Sequence, residues 1–385
     1  MTEEVKTTEM SPSVAGGEKT SPAEAISAEA RAASQKRWDA IAKPLDSLGI
    51  FEKQITQIAG ITGDADVKLR PASLFVFCAD NGIVEEGVTQ TDSKVTAVVA
   101  KSMAYGKSGA CRMAEECGCI VNVIDVGIEH DEMISDIPDK TSGYTDKAPG
   151  IIRKKILKGT EDFLKAPAFG EEELKRAISA GREVAQKAAS EGIRIFLVGE
   201  MGIGNTTTSA ALASALLGIP PTETVGRGAG LDDKGFKRKT EVVAEGLEKY
   251  GFKPGKKVMD KAEVMKLMHC LGGLDIAAIA GFIMGACYVH VPVIIDGVIT
   301  AVAALAAVRL YPECKECIIG SHVGKEPSMK MLLDELELDA PIKGELALGE
   351  GTGALMELSL LDMALAVYDE SADFTDISID AYKRF

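Results

Sequence analysis

The chain has 385 residues, 46% of them hydrophobic, enough to bury a large core in one big α/β domain with a smaller lobe or in two moderate domains. Its formal charge of -15 argues against nucleic acid or an anionic membrane surface as the main partner, because either needs a basic face that displaces counterions. Eight cysteines (Cys78, Cys111, Cys117, Cys119, Cys270, Cys287, Cys314 and Cys317) stand mostly in apolar or helical contexts, which suits reduced thiols in a cytoplasmic protein and not a disulfide framework.

Residues 1–34, rich in Thr, Ser, Glu and Ala, hold no apolar run of signal-peptide length and read as a disordered tail. Residues 35–61 are largely helical in pattern, and the stretch 35–70 is expected to form the first part of a small helical lobe. The runs 73–79, 120–126, 193–199, 292–296 and 317–321 are almost wholly apolar, as expected of strands covered on both faces. Helical patterns lie between them at 171–190, 206–217, 301–310 and 326–337, and 274–291 reads as a buried helix despite Asp275. This alternation predicts, for residues 71–345, an α/β fold with a doubly wound, mainly parallel sheet, helices on both faces and ligand sites at the carboxyl ends of strands. Residues 346–385 carry a Gly-rich loop and a last helix, 352–368, which is expected to join the N-terminal helices in the small lobe.

The strand ends collect the polar residues. After 193–199 comes Glu200-Met201-Gly202-Ile203-Gly204-Asn205-Thr206-Thr207, a loop whose free amides, with the positive end of the following helix, suit a phosphate. It is neither a Walker A loop nor a dinucleotide fingerprint, and the alternative is glycine for close packing with threonine as a cap. A second cluster, Gly226-Arg227-Gly228-Ala229-Gly230, precedes Lys237-Arg238-Lys239, a local basic run that meets an anionic ligand or simply faces solvent. Asp80 and Asn81 end one strand and Asp296 another, placed for ribose hydroxyls or for capping the next helix. Ser321-His322 ends a third, with Glu326-Pro327 beyond as a helix start. Cys314-x-x-Cys317 lacks a second pair at zinc spacing, so no metal site is expected. Leu348-Gly349-Glu350-Gly351-Thr352-Gly353-Ala354 sets one carboxylate between glycines before an apolar helix: a general base open to a flat substrate, or only a tight turn.

Taken in order, Lys43 to Gly49, Ala79 to Gly82 with Glu86-Gly87-Val88, Asp125-Val126-Gly127, Gly199 to Thr207, Gly226 to Lys239, Gly272-Gly273, Asp296-Gly297, Ser321-His322 and Leu348 to Ala354 resemble the nicotinate-nucleotide:dimethylbenzimidazole phosphoribosyltransferases over nearly everything after about residue 35. The resemblance implies a dimeric α/β enzyme that moves ribose phosphate from nicotinate mononucleotide to an aromatic acceptor, making the lower-ligand nucleotide of cobamides without metal or cofactor. It implies Glu350 as base and Glu200 as a second carboxylate at the reacting ribose. Gly202, Gly204, Asn205, Thr206 and Lys239 are then implied at the phosphate, and Asp80, Asn81, Thr91, Ser93, Asp296, Ser321 and Leu348 at the ribose or acceptor. Departures from the family pattern fall at Asn81, Asp46 and Ala347, where His, Gly and Arg are frequent, and at Thr91 and Ser93, where an aromatic residue and Gln are usual. These bear on the acceptor, which is a benzimidazole, another base or a phenol, and on whether the dimer partner is a second copy or a paralogous subunit.

Overall fold

The computed structural model describes residues 26–141 and 143–384. Among these, six strands, β1 (Ala72–Ala79), β2 (Ile120–Gly127), β3 (Ile151–Arg153), β4 (Ile195–Met201), β5 (Val293–Ile295) and β6 (Ile318–Gly320), form one parallel sheet ordered β3-β2-β1-β4-β5-β6. Five of them are the expected apolar runs. The sixth, β3, has only Ile151 and Ile152 to bury before the exposed Arg153, too short a signal to stand out in sequence.

Side-chain alternation along each strand feeds two cores. Leu74, Val76 and Cys78 of β1 face one way, toward α1 (Ala28–Ala40), α2 (Ile50–Thr62), α3 (Lys94–Ala104) and α4 (Gly109–Glu116). Phe75, Phe77 and Ala79 face the other, toward α5 (Glu171–Ser190), α6 (Asn205–Leu217), α7 (Pro221–Thr224), α8 (Asp233–Tyr250), α9 (Lys261–Leu271), α10 (Leu274–Tyr288), α11 (Val298–Leu310) and α12 (Met329–Leu336). The last helix, α13 (Thr352–Glu370), returns to the first face.

The two chain ends meet there, as expected. The Trp38 ring lies 4.7 Å from that of Tyr368, whose hydroxyl donates to the Ala65 carbonyl at 2.8 Å. Helix α1 begins at Ala28, inside the segment expected to be a tail; residues 1–25 of that segment lie outside the described residues. The Ser27 hydroxyl accepts the Ala30 amide at 3.0 Å and starts the helix, which buries Ala30, Ser34 and Trp38. The apolar side chains of its first turns are all alanine, interspersed with Glu29 and Arg31, so low hydrophobicity hides them among the tail residues.

Helix α2 also covers the free edge of the sheet. The Gln57 side chain donates to the carbonyls of Glu316 at 2.8 Å and Ile318 at 3.0 Å, and Gln54 donates to that of Gly320 at 3.2 Å. On the opposite face α10 is buried from Leu274 to Cys287 and packs against α5, and no helix among the described residues is long and apolar enough to cross a membrane. A Cβ added at Gly281 would overlap the Ile178 carbonyl, and one at Gly181 that of Ala278, so these backbones touch where they cross. Gly281→Ala is expected to cost about 2 kcal/mol, as overpacking of a rigid contact does, read as a lower urea midpoint at unchanged slope.

Candidate active site

Strand order reverses between β1 and β4, whose following helices pass to opposite faces, and a crevice opens at the carboxyl ends of the strands beside this point. It holds a cavity of about 290 Å³ lined from the ends of β4, β5 and β6 and by the loop 346–350.

The β4–α6 loop forms one wall. Gly204 is the N-cap of α6 at φ 92°, a left-handed conformation that suits glycine, and no side chain caps this helix. Asn81 donates to the Ile203 carbonyl at 3.2 Å, and Thr96 accepts the Ile203 amide at 3.1 Å. Pinned on both sides, the loop presents Gly202, Gly204, Asn205 and Thr206 to the cavity. Beside it Lys239, fully buried, donates to the Thr206 hydroxyl at 2.7 Å. Burial pushes its ammonium down to about 8, against the opposing charge of Glu326. Of the basic run only Lys239 reaches the cavity: Arg238 is bound by Glu86 and Glu245, and Lys237 stays close to solvent 3.9 Å from Glu241.

The facing wall carries the carboxylates. Gly349, Glu350 and Gly351 have φ of 75°, 59° and 82°, so the loop needs its glycines and holds Glu350 in a conformation costly for a side chain. Asp296 fixes this turn, its two oxygens accepting the amides of Gly351 at 3.1 Å and Gly353 at 2.8 Å and so capping α13 from a distant strand. One carboxylate oxygen of Glu350, Oε2, has no protein partner. Burial and then the charge of Asp296 raise its pKa above the usual range, opposed by hydrogen bonds from the Ala110 amide and the Ser108 hydroxyl at the start of α4. Glu200 lies against this loop, its Oε1 2.8 Å from where a Cβ on Gly349 would stand, and its carboxyl is pushed up to about 8 by burial and by Asp275, with Asp296 and Glu350 adding to it. The Asn205 side-chain amide ties Glu200 to Asp275, donating to both, the second at 2.9 Å.

Several expected site residues do not line this cavity. Asp80 accepts the Glu129 amide at 2.8 Å behind the loop, Asn81 buttresses Ile203, and the Ser321 hydroxyl donates to the Ile295 carbonyl at 2.6 Å. Thr91 is exposed and Ser93 sits 3.0 Å from His130; Thr89 and Gln90 line the wall in their place. Asp296 and Leu348 do line it, Asp296 with its carboxylate already spent on the α13 amides. Sequence reasoning missed three contributors. Asp275 could have been suspected as an acid opening a wholly apolar helix; Glu326 and Gln90 carry no local signal.

A phosphoribosyltransferase family model, DBI_PRT, matches residues 23–379. This chain belongs to the nicotinate-nucleotide:dimethylbenzimidazole phosphoribosyltransferase family. The nicotinate-nucleotide–dimethylbenzimidazole phosphoribosyltransferase of Ruminiclostridium cellulolyticum is 37% identical over 350 residues, 91% of this chain and 94% of the relative. That of Clostridium acetobutylicum is 38% identical over 349 residues, 91% and 93%. The crystal structure of CobT from Thermus thermophilus superposes with a TM-score of 0.81 at 33% identity, covering 91% of this chain and 99% of that one. The parallel α/β architecture and the helical termini are thus those of this phosphoribosyltransferase family, and the chain is an enzyme of that class.

Proposed function

We propose that this enzyme transfers the phosphoribosyl group of nicotinate mononucleotide to an aromatic lower-ligand base such as 5,6-dimethylbenzimidazole, releasing nicotinate and giving an α-ribotide for cobamide assembly. The observation that carries the reading is Glu350, one of whose carboxylate oxygens has no protein partner, lining a cavity that also meets the uncapped start of α6 and a buried lysine. In this scheme the phosphate rests on the 202–206 loop and Lys239, and the pyridinium comes next to Glu200. Nicotinate leaves as a neutral ring nitrogen and needs no acid, so a single base suffices: Glu350 takes the acceptor's proton as it attacks the anomeric carbon. Val88, Val99, Leu346 and Leu348 supply an apolar wall for a flat ring. A phenol fits the same wall and the same base, and a hydroxyl acceptor is therefore part of the proposal. A dimer in which a second copy or a paralogous subunit covers the mouth, beside the 61% exposed Leu348, is also part of the proposal.

The test is to incubate the purified chain alone with nicotinate mononucleotide and, separately, dimethylbenzimidazole, adenine, phenol or p-cresol, and to separate products by chromatography with mass detection. An acceptor-dependent ribosyl phosphate adduct supports the reading and names the acceptor. No adduct with any acceptor transfers the weight to a nucleotide-binding subunit that needs a partner chain.

Nucleotide binding is also expected to release a proton. At pH 7 a Glu200 carboxyl whose pKa is about 8 is mostly neutral, and a pyridinium cation beside it favours the charged form. Calorimetric titrations near pH 7 in two buffers of different ionisation enthalpy should therefore differ in observed heat, and Glu200→Gln should remove the difference; identical heats for the wild type would refute this role.

A further inference from the structure

Lys239 owes its position and its charge to a residue outside both Gly-rich motifs. The segment 324–326 crosses the cavity wall, the Lys325 amide donating to the Leu346 carbonyl at 3.0 Å at one end and Glu326 reaching the 226–228 turn at the other. Oε1 of Glu326 accepts the Gly228 amide at 3.0 Å. Its other oxygen occupies the space that a side chain at Gly226 would need. Gly228, at φ 52°, lies directly over the Lys239–Thr206 pair: a Cβ there would come 2.9 Å from the Thr206 hydroxyl and 3.4 Å from the Lys239 ammonium. The turn that roofs the buried lysine is thus clamped by one carboxylate, and the clamp and the roof both line the cavity.

From this geometry we infer that Glu326 is the positioning residue of the phosphate subsite, holding the 226–228 turn over Lys239 and keeping the buried ammonium charged. The inference rests on the phosphoribosyl reading above. A carboxylate beside a phosphate subsite is otherwise unexpected, since it repels the ligand; here it is spent on a backbone amide, and its charge opposes the burial that lowers the Lys239 pKa. Among the described residues, Glu326 is the one charged group acting on Lys239, and Thr206 from α6 supplies its hydrogen-bond acceptor. Removing the Glu326 charge lowers the lysine's pKa further, so the ammonium is lost at a lower pH than in the wild type.

The experiment measures KM for nicotinate mononucleotide and kcat between pH 6 and 9 in the wild type, Glu326→Gln, Glu326→Asp, Lys239→Met and the Glu326→Gln/Lys239→Met double variant, each checked for folding by circular dichroism. Glu326→Gln is expected to raise KM by about tenfold at pH 7.5, the scale of one hydrogen bond to a charged group, with a smaller change in kcat. Its KM should begin to climb at a lower pH than that of the wild type. Glu326→Asp keeps the charge and shortens the reach, so it should retain the wild-type onset with an intermediate KM. In the Lys239→Met background Glu326→Gln should add little, because Glu326 acts through the lysine that the 226–228 turn covers. An unchanged KM, a rise of the same factor at every pH, or additive effects in the double variant would each overturn the inference, and if glutamine does not fold there, the aspartate and methionine variants still decide it. A wild type that neither binds nor turns over nicotinate mononucleotide removes the phosphoribosyl reading itself; a wild type that does, with Glu326→Gln unaltered, removes only this inference.

Discussion

Replacing Glu350 with glutamine is expected to lower turnover by ~10² or more, the usual scale for a positioned acid or base, while nicotinate mononucleotide binds with little change. The substitution keeps shape and removes only basicity. The positive φ of Glu350 is no worse for glutamine than for glutamate, and the amide can still meet the Ser108 hydroxyl. Because burial and Asp296 lift the Glu350 carboxyl above its ordinary range, the wild-type rate should fall with acid at a higher pH than a solvated glutamate would allow. The variant should lack that limb. Steady-state rates against pH, with nucleotide affinity from direct titration, check both statements; a variant as active as the wild type would remove Glu350 from the chemistry.

Asp296→Ala is expected to be the most damaging change outside the base itself. Asp296 is buried, and its loss strands the Gly351 and Gly353 amides in a place that water reaches poorly. Two charge-assisted hydrogen bonds are worth about 3 kcal/mol together, after allowing for relaxation. The same amides hold the left-handed run at 349–351, so turnover should fall with stability, and the nucleotide, whose phosphate we propose rests on the 202–206 loop, should lose less affinity. Removal of a neighbouring negative charge lowers the Glu350 pKa, so whatever activity remains should persist to lower pH than in the wild type. Asp296→Asn, with one acceptor oxygen in place of two, should fall between. Urea unfolding and a pH–rate profile separate these effects, and an alanine variant with wild-type stability would show that the cap is dispensable.

What could be read in advance was what is local. Strands covered on both faces are written as unbroken apolar runs, and five of six were visible; the order of those strands was not, because Ser73 pairing with both Ile120 and Phe196 is decided by helices packing from far along the chain. Glu350 and the 202–206 loop, which glycine spacing and the following helix single out, both line the cavity. Asp80, Asn81 and Ser321 lie off the cavity for a physical reason: the end of a buried strand needs polar side chains to satisfy its own loops as much as to meet a ligand. Thr91 and Ser93 lie off the cavity wall, while Gln90 lines it and donates to the Gly230 carbonyl. Glu326 and Asp275 act on Lys239 and Asn205, residues 87 and 70 positions away in sequence, and no spacing rule reaches that far.

The glutamines of α2 that cover the β6 edge bear on how the protein behaves when its N-terminal helices come away. An open edge of a parallel sheet is a template for another chain, and Gln54 and Gln57 occupy its outward carbonyls with side-chain amides that cannot propagate a ladder. Fraying or cleavage ahead of residue 62 would expose that template on β6, the strand whose carboxyl end also lines the cavity. A lesion there would promote self-association and disturb the site together.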